Sequence, residues 1–600
     1  RALGTAATRC SYRSRAYAHC SAQPRGLLKL TSFSKAARSN SSQFKQETTL
    51  NNRPLWWALA LSFCISGCGG NTSGGGSSTS STPAPTAATQ CASLNGLSIP
   101  ASSIGAPTSG ATITSATLTE TSGEYCKVNG AIAPVDPAAP SINFQVNLPT
   151  NWNRKALHYG GGGFDGALIT GVEPLDMAPA GSATPLANGY ATFGDDSGHQ
   201  SSSITDGKFA ANDEALANYG GLSLKKTHDV AMALIRKRYS SAPDKVYFFG
   251  SSTGGRDGLS EAQRWPSDYD GIVVNRPALN YTGLRLSNVV LGRALYLNNG
   301  AGWLDVAKTV LLQNAVMSTC DALDGVADGI ISNVAACKAQ SPTVLASVRC
   351  ANGADTGDTC LSDAQIATVQ TIAAPLQLSY PLANGVTRYA GYNILAGSVF
   401  AGPYTTRDLG ESKVPANPAG KKDANQWVTG DQWVKYFVTR VPTFNSLTFD
   451  PLNPAAYESR VQAVSALTDA TSTDLSAYVA KGGKLIMTHG LADEIVSTDS
   501  STEYYNGLVQ RFGQNTVDGF VRFYLMPGVG HGTGPFHPAI DSLSALDQWV
   551  ESGKAPETLT MSDLNAATLG RTRPLCRYPS WPKYVGGDVN AAASYQCVNQ

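Results

Sequence analysis

An α/β fold, with a central sheet interrupted by one large insertion, is predicted by three observations. The stretch "DKVYFFG" (Asp244–Gly250) is a short run of apolar and aromatic residues. It ends on a serine held between glycines and is followed by a helix-like run, "RDGLSEAQRW" (Arg256–Trp265). That order reads as strand, tight turn and helix. Two later apolar runs, within "GKLIMTHG" (Gly483–Gly490) and "GFVRFYLMPG" (Gly519–Gly528), each end in a loop that carries acid or histidine residues. From Ser252, in the serine turn, to Asp493, in the first of these loops, is a separation of 241 residues. A few βα units of roughly 30 residues each do not use up that length, so well over a hundred residues are spare.

Composition sets the outer bounds. The chain has 600 residues, 42% hydrophobic and 15% charged, with a net charge of +1 and no basic stripe. Nucleic acid and electrostatically bound membrane are therefore not expected as partners, and oligomeric state is not readable.

Residues 1 to about 50 are rich in Ser, Arg and Ala without periodicity, and no methionine precedes Met177. A fragment, or a reading frame extended upstream of the true start, would account for this. Residues 1–67 read as a leader. Arg53 precedes an apolar run, Leu55 to Ile65, that is too short to span a bilayer. It ends in Ile65-Ser66-Gly67-Cys68, similar to the bacterial lipoprotein cleavage box, in which Cys68 would be lipidated; an ordinary export signal with a chance cysteine is the alternative. Residues 68–90 form a Gly/Ser/Pro tether. Export, to the cell envelope or beyond, is expected.

Eight further cysteines fit that compartment. The economical pairings join near neighbours: Cys91 with Cys126, Cys320 with Cys337, Cys350 with Cys360, and Cys576 with Cys597. Connectivity is not fixed by sequence, and a pair or two could remain reduced.

The serine turn, Gly250-Ser251-Ser252-Thr253-Gly254, matches G-x-S-x-G with Ser252 at its centre. In the strand–turn–helix context this is a nucleophile elbow, with an ordinary glycine turn as the alternative. In α/β-hydrolases the base follows the nucleophile and the acid in chain order. Only His489, His531 and His537 follow Ser252. His531 lies on the Gly-rich loop after a late strand, where the base is expected. His489 ends another strand, and His537 is expected to open the following helix. The acid is expected at Asp493, on the loop after the strand Lys484 to Thr488, with the adjacent Glu494 as its rival. The run Gly160–Gly163, after an early strand, suits an oxyanion hole built from the Gly162 and Gly163 amides and that of Thr253. No Gly-Lys-Ser/Thr follows the glycines and no G-x-G-x-x-G opens a helix, so no organic cofactor is expected.

Six blocks in order are similar to the tannase/feruloyl esterase family: "GGGGF", "GSSTGGRDGLSEAQRWPSDYDGIV", "CDALDGVADGIISN", "HGLADEIV", "MPGVGH" and "RPLCRYPSWPKYVGGD". The resemblance spans roughly Cys91 to Cys597. It implies an α/β-hydrolase core, residues 91–278 and 476–600, with a large inserted lid domain at 279–475. The implied activity is hydrolysis of aromatic acid esters of the feruloyl, galloyl or mono(2-hydroxyethyl) terephthalate type, so the expected partner is a small aromatic ester. A broader acyl hydrolase, or a tethered binding protein on a hydrolase fold, are the other readings.

Carboxylates at Asp321, Asp324 and Asp328, with glycines between, suit a hard cation, read as structural calcium; a solvated acidic turn is the alternative. The resemblance implies those three as side-chain ligands, with Val326 and Ile330 binding through their carbonyls. It also implies a disulfide beside the nucleophile and the histidine, where this chain has Ser251 and Gly532. Arg407, in a loop of the insertion, is a candidate to bind a substrate carboxylate.

Overall fold

The computed structural model describes residues 86–401, 409–532 and 534–599. The leader, most of the tether, Cys68 and Arg407 lie outside the described residues.

Ten strands form one mixed sheet: β1 (Ser98–Ile99), β2 (Ala111–Thr119), β3 (Tyr125–Ile132), β4 (Ile142–Pro149), β5 (Lys155–Tyr159), β6 (Ala191–Asp195), β7 (Lys245–Ser251), β8 (Gly271–Asn275), β9 (Lys484–Gly490) and β10 (Val521–Met526). Their order is β1-β2-β3-β4-β6-β5-β7-β8-β9-β10. β1 to β4 and the β4–β6 pair are antiparallel. From β6 to β10 every pair is parallel.

The parallel half explains why its strands are almost wholly apolar. A parallel strand is covered by helices on both faces and shows little polar alternation. Phe248, Val274 and Met487 pack on one side, against Val230 and Leu234 of helix α1 (Ser223–Tyr239) and Tyr504 and Leu508 of the helix Thr498–Phe512. Their neighbours Tyr247, Phe249, Val273 and Ile486 pack on the other, against Leu543, Leu546 and Trp549 of the helix Ser542–Ser552. Helix α2 (Thr253–Arg264) follows β7 directly.

Between β8 and β9 the chain leaves the sheet for about 200 residues, and among the described residues it adds no strand to it. Many of the apolar residues of this inserted segment, among them Leu286, Val289, Leu312, Val316, Trp427, Trp433 and Phe437, join one cluster that also takes in Phe164, Tyr219, Leu491 and Val496 of the core. Its helix α3 (Tyr281–Gly300) packs against the helix Asn425–Gln432. A Cβ at Gly292 would sit 2.0 Å from the Trp427 ring, so only glycine permits that approach.

The four disulfides join the neighbours expected: Cys91–Cys126, Cys320–Cys337, Cys350–Cys360 and Cys576–Cys597. One expectation is corrected. His537 does not open a helix; it precedes the short strand Pro538–Ala539, and the helix begins at Ser542. The His537 N–H donates to Asp563, and Asp541 caps the helix by accepting from the Ser544 N–H.

Candidate active site

β7 ends at Ser251, and Ser252 turns the chain into α2 with φ 58° and ψ −116°. A left-handed backbone is costly for a residue with a Cβ and persists only where the surroundings hold it. Here the Ser252 N–H donates to the Asn275 carbonyl at 3.0 Å, and the Ser252 carbonyl accepts from the Ala278 N–H at 3.0 Å. Gly250 is required by packing: a Cβ there would meet the Gly254 carbonyl oxygen at 2.2 Å.

Three strand ends converge on this turn. Ser252 Oγ lies 3.0 Å from His531 Nε2, and His531 Nδ1 lies 2.8 Å from Asp493 Oδ2. Asp493 Oδ1 accepts from the N–H groups of Ile495 and Val496 at 2.8 and 2.9 Å. The carboxyl is buried, which alone would favour its neutral form. The charge and hydrogen bond of His531, together with those of His489, outweigh burial and hold it far below the usual carboxylate range. Asp493 is therefore a fixed anion at the ring, and its contact places the proton on Nδ1, leaving the Nε2 lone pair toward the serine.

The rivals occupy other places. Glu494 accepts from the backbone N–H of His531 at 3.1 Å, and so holds the loop rather than the ring. His489 is buried; its Nδ1 lies 2.8 Å from Ser501 Oγ and its Nε2 3.3 Å from Asp493 Oδ2, on the side away from solvent.

The glycine loop lies against the start of α2. The Gly161 carbonyl accepts from the Gly254 N–H at 3.1 Å, the Gly162 carbonyl from the Asp165 N–H at 2.9 Å, and the Gly163 carbonyl from Thr253 Oγ1 at 2.7 Å and Tyr219 OH at 2.9 Å. The loop is thus pinned through its acceptors. Thr253 opens α2, so its N–H is among the amides a helix leaves without an intrahelical acceptor. Gly163 has φ +66°, and a Cβ there would be 2.6 Å from the Ile204 carbonyl.

Sequence reasoning missed the buttress that the inserted segment supplies to the acid loop. Ser398 Oγ donates to the Asp493 carbonyl at 3.0 Å, Gln426 Nε2 to the Glu494 carbonyl at 2.8 Å, and Tyr392 OH to the Ile495 carbonyl at 3.1 Å. These partners are 68 to 103 residues away in sequence, and no local pattern marks them.

A family model for tannase and feruloyl esterase matches residues 126–598. The chain belongs to the tannase and feruloyl esterase family. It is accordingly a carboxylic ester hydrolase of that type. It is 42% identical over 488 residues to an uncharacterized esterase of Agrobacterium fabrum, covering 80% of this chain and 86% of that one. To the mono(2-hydroxyethyl) terephthalate hydrolase of Piscinibacter sakaiensis it is 31% identical over 526 residues, covering 79% and 85%. The crystal structure of feruloyl esterase B from Aspergillus oryzae superposes with a TM-score of 0.67 at 23% identity, over 86% of this chain and 100% of that one. At that identity the likeness shows the fold, an α/β-hydrolase-like arrangement around a large mixed sheet.

The acidic loop of this family member is ordered by its own backbone. Asp321 accepts from the N–H groups of Asp328 and Gly329 at 3.2 and 3.0 Å, and Asp324 from the Ser332 N–H at 3.1 Å. Asp328 forms an ion pair with Arg573 and accepts from Tyr595 OH at 3.1 Å. Burial, and then the charge of Asp328, push the Asp324 carboxyl up to about 6 against its hydrogen bonds from Ser332, and raise Asp321 as well. Asp321 and Asp324 offer oxygens of the kind a hard dication takes, while Asp328 is already paired with Arg573. Among the described residues, the trio of potential ligands whose atoms lie within 4.8 Å of one another is instead His228, Asp229 and Asp268. There Lys225 already bridges the two carboxylates at 2.9 and 2.8 Å.

Proposed function

We propose that this chain hydrolyses esters of aromatic carboxylic acids through an acyl-enzyme on Ser252. The observation that carries the reading is the unbroken relay Ser252 Oγ, His531 Nε2, His531 Nδ1, Asp493 Oδ2, with both links at hydrogen-bond length. His531 Nε2 takes the Ser252 proton as Oγ attacks the ester carbonyl carbon. The resulting oxyanion is held by the N–H of Thr253 with those of Gly162 or Gly163. His531 then returns the proton to the leaving alcohol, the C–O bond breaks, and the acyl group remains on Ser252. Water repeats the steps and releases the acid. Asp493 stabilises the imidazolium at each stage without taking the proton.

The aromatic substrate class is supported by the relatives, which include a mono(2-hydroxyethyl) terephthalate hydrolase and several probable feruloyl esterases. The inserted segment acts as a lid that shapes the acyl pocket. Asp321, Asp324 and Asp328, with the carbonyls of Val326 and Ile330, would hold a structural calcium ion, which would neutralise the crowded charge of that loop. Export is supported by the four disulfides, and lipidation at Cys68 is proposed from the sequence alone.

The test is a panel of methyl ferulate, methyl gallate and mono(2-hydroxyethyl) terephthalate, with Ser252→Ala as control. Turnover of at least one ester by the native protein and none by the variant is expected. Comparable turnover by both would overturn the reading.

A further inference from the structure

Beside the elbow lies a charged pair that the relay does not use. Three residues with side chains and a left-handed backbone meet there: Met177 at φ 62°, Ser252 at 58° and Arg276 at 40°. For Met and Arg that conformation has no local benefit, and it persists only where the surroundings over-determine it. What holds it is visible. The Arg276 N–H donates to the Thr488 carbonyl at 2.7 Å, and the Met177 carbonyl accepts from the Ile540 N–H at 2.7 Å. The Arg276 guanidinium, itself buried, is delivered to the carboxylate of Asp176. The same carboxylate oxygen accepts from Ser251 Oγ at 2.6 Å, one residue before the nucleophile. Ser251 Oγ also accepts from Asn275 Nδ2 at 3.3 Å, and Asn275 Oδ1 accepts from Thr488 Oγ1 at 2.7 Å. The ends of β7, β8 and β9 and the Asp176 loop are thereby tied into one polar cluster.

We propose that Asp176, gripped by Arg276, is a positioning residue that fixes the elbow through Ser251. The inference rests on the reading of Ser252 and His531 given above and deepens it. Burial alone would raise the Asp176 carboxyl, yet it lies below its ordinary range: Arg276 is the main counterweight, then the Ser251 hydrogen bond, then the charges of His531 and His537. Two-fifths of the Asp176 side chain reaches solvent, so its charge is partly screened.

The variants are Asp176→Asn, Ser251→Ala and their combination, each read as kcat and KM on an aryl ester and as melting temperature. Asp176→Asn should lower kcat about tenfold with KM little changed, because the elbow is displaced and the rest of the site is not. Ser251→Ala should lower kcat severalfold, and the double variant should cost little more than Asp176→Asn alone, since both side chains act through one contact. A merely structural role predicts losses that follow the melting temperature and move KM as well. Native kcat in folded Asp176→Asn, or additive losses in the double variant, would overturn the inference. If Asp176→Asn does not fold, Ser251→Ala decides alone. Labelling with a fluorophosphonate separates the two readings. No label on Ser252 in the native protein removes the nucleophile assignment itself; native-rate labelling of Asp176→Asn removes only the role of Asp176.

Discussion

Glu494 and His531 are joined through the backbone, not the ring: the Glu494 carboxylate accepts the His531 N–H at 3.1 Å, while Asp493, one residue earlier, takes Nδ1 at 2.8 Å. Two adjacent acids thus serve one histidine in different ways. Asp493→Asn should lower kcat by about 10³–10⁴-fold, because an amide can stabilise the wrong tautomer and not the imidazolium. Glu494→Gln keeps an acceptor for the amide and should cost about tenfold or less. Steady-state kinetics of both variants checks this, and the reverse ranking would give the acid role to Glu494.

Ser252 and His531 should act as one unit. Each alanine variant should lose roughly 10⁴-fold or more in kcat, and the double variant little beyond either single, since removing one member already disables the relay. Additive losses would contradict this.

The acidic loop should bind calcium in competition with protons. Asp324, raised to about 6, must lose its proton to act as a ligand, so affinity should fall as pH drops below about 6. Calorimetric titration at pH 5 and pH 7.5 measures it. Chelator should lower the melting temperature and Asp324→Asn should abolish that response, with turnover at saturating substrate nearly unchanged at 25 °C. A purified active protein with no calcium by metal analysis, and no response to chelator, would end the assignment.

Gly532 lies next to His531, outside the positive-φ glycines, and a Cβ there meets nothing within 4 Å among the described residues. Gly532→Ala should therefore keep native activity to within about twofold. The double variant Ser251→Cys, Gly532→Cys would close a loop of about 280 residues, for which chain entropy alone suggests on the order of 5 kcal/mol before strain and loss of the Asp176 contact are subtracted. A higher melting temperature under oxidising than reducing conditions is the expected result; two free thiols after oxidation would show that the loops are too far apart.

The relay was legible because each member sits at a strand end, and strands of buried parallel sheets are continuous apolar runs. Ser252 was further marked by glycines that its turn cannot do without. The choice between Asp493 and Glu494 was less legible, since neighbouring loop residues point apart by backbone geometry that no pattern encodes. Asp176 and Arg276 were invisible: they are 100 residues apart and belong to no motif. His537 misled because a loop residue beside an apolar run resembles a helix start, whereas Asp541 is the true cap.

β8 and β9, which precede and follow the inserted segment, are neighbours in the sheet, paired in parallel from Gly271 with Lys484 to Asn275 with Thr488. The segment therefore leaves and rejoins the sheet at two adjacent strands. Residues can be gained or lost between those two strands without breaking the sheet, provided that Ser398, Gln426 and Tyr392 still hold the acid loop. An engineer who grafts whole segments between relatives at the same two seams must therefore carry those three contacts along.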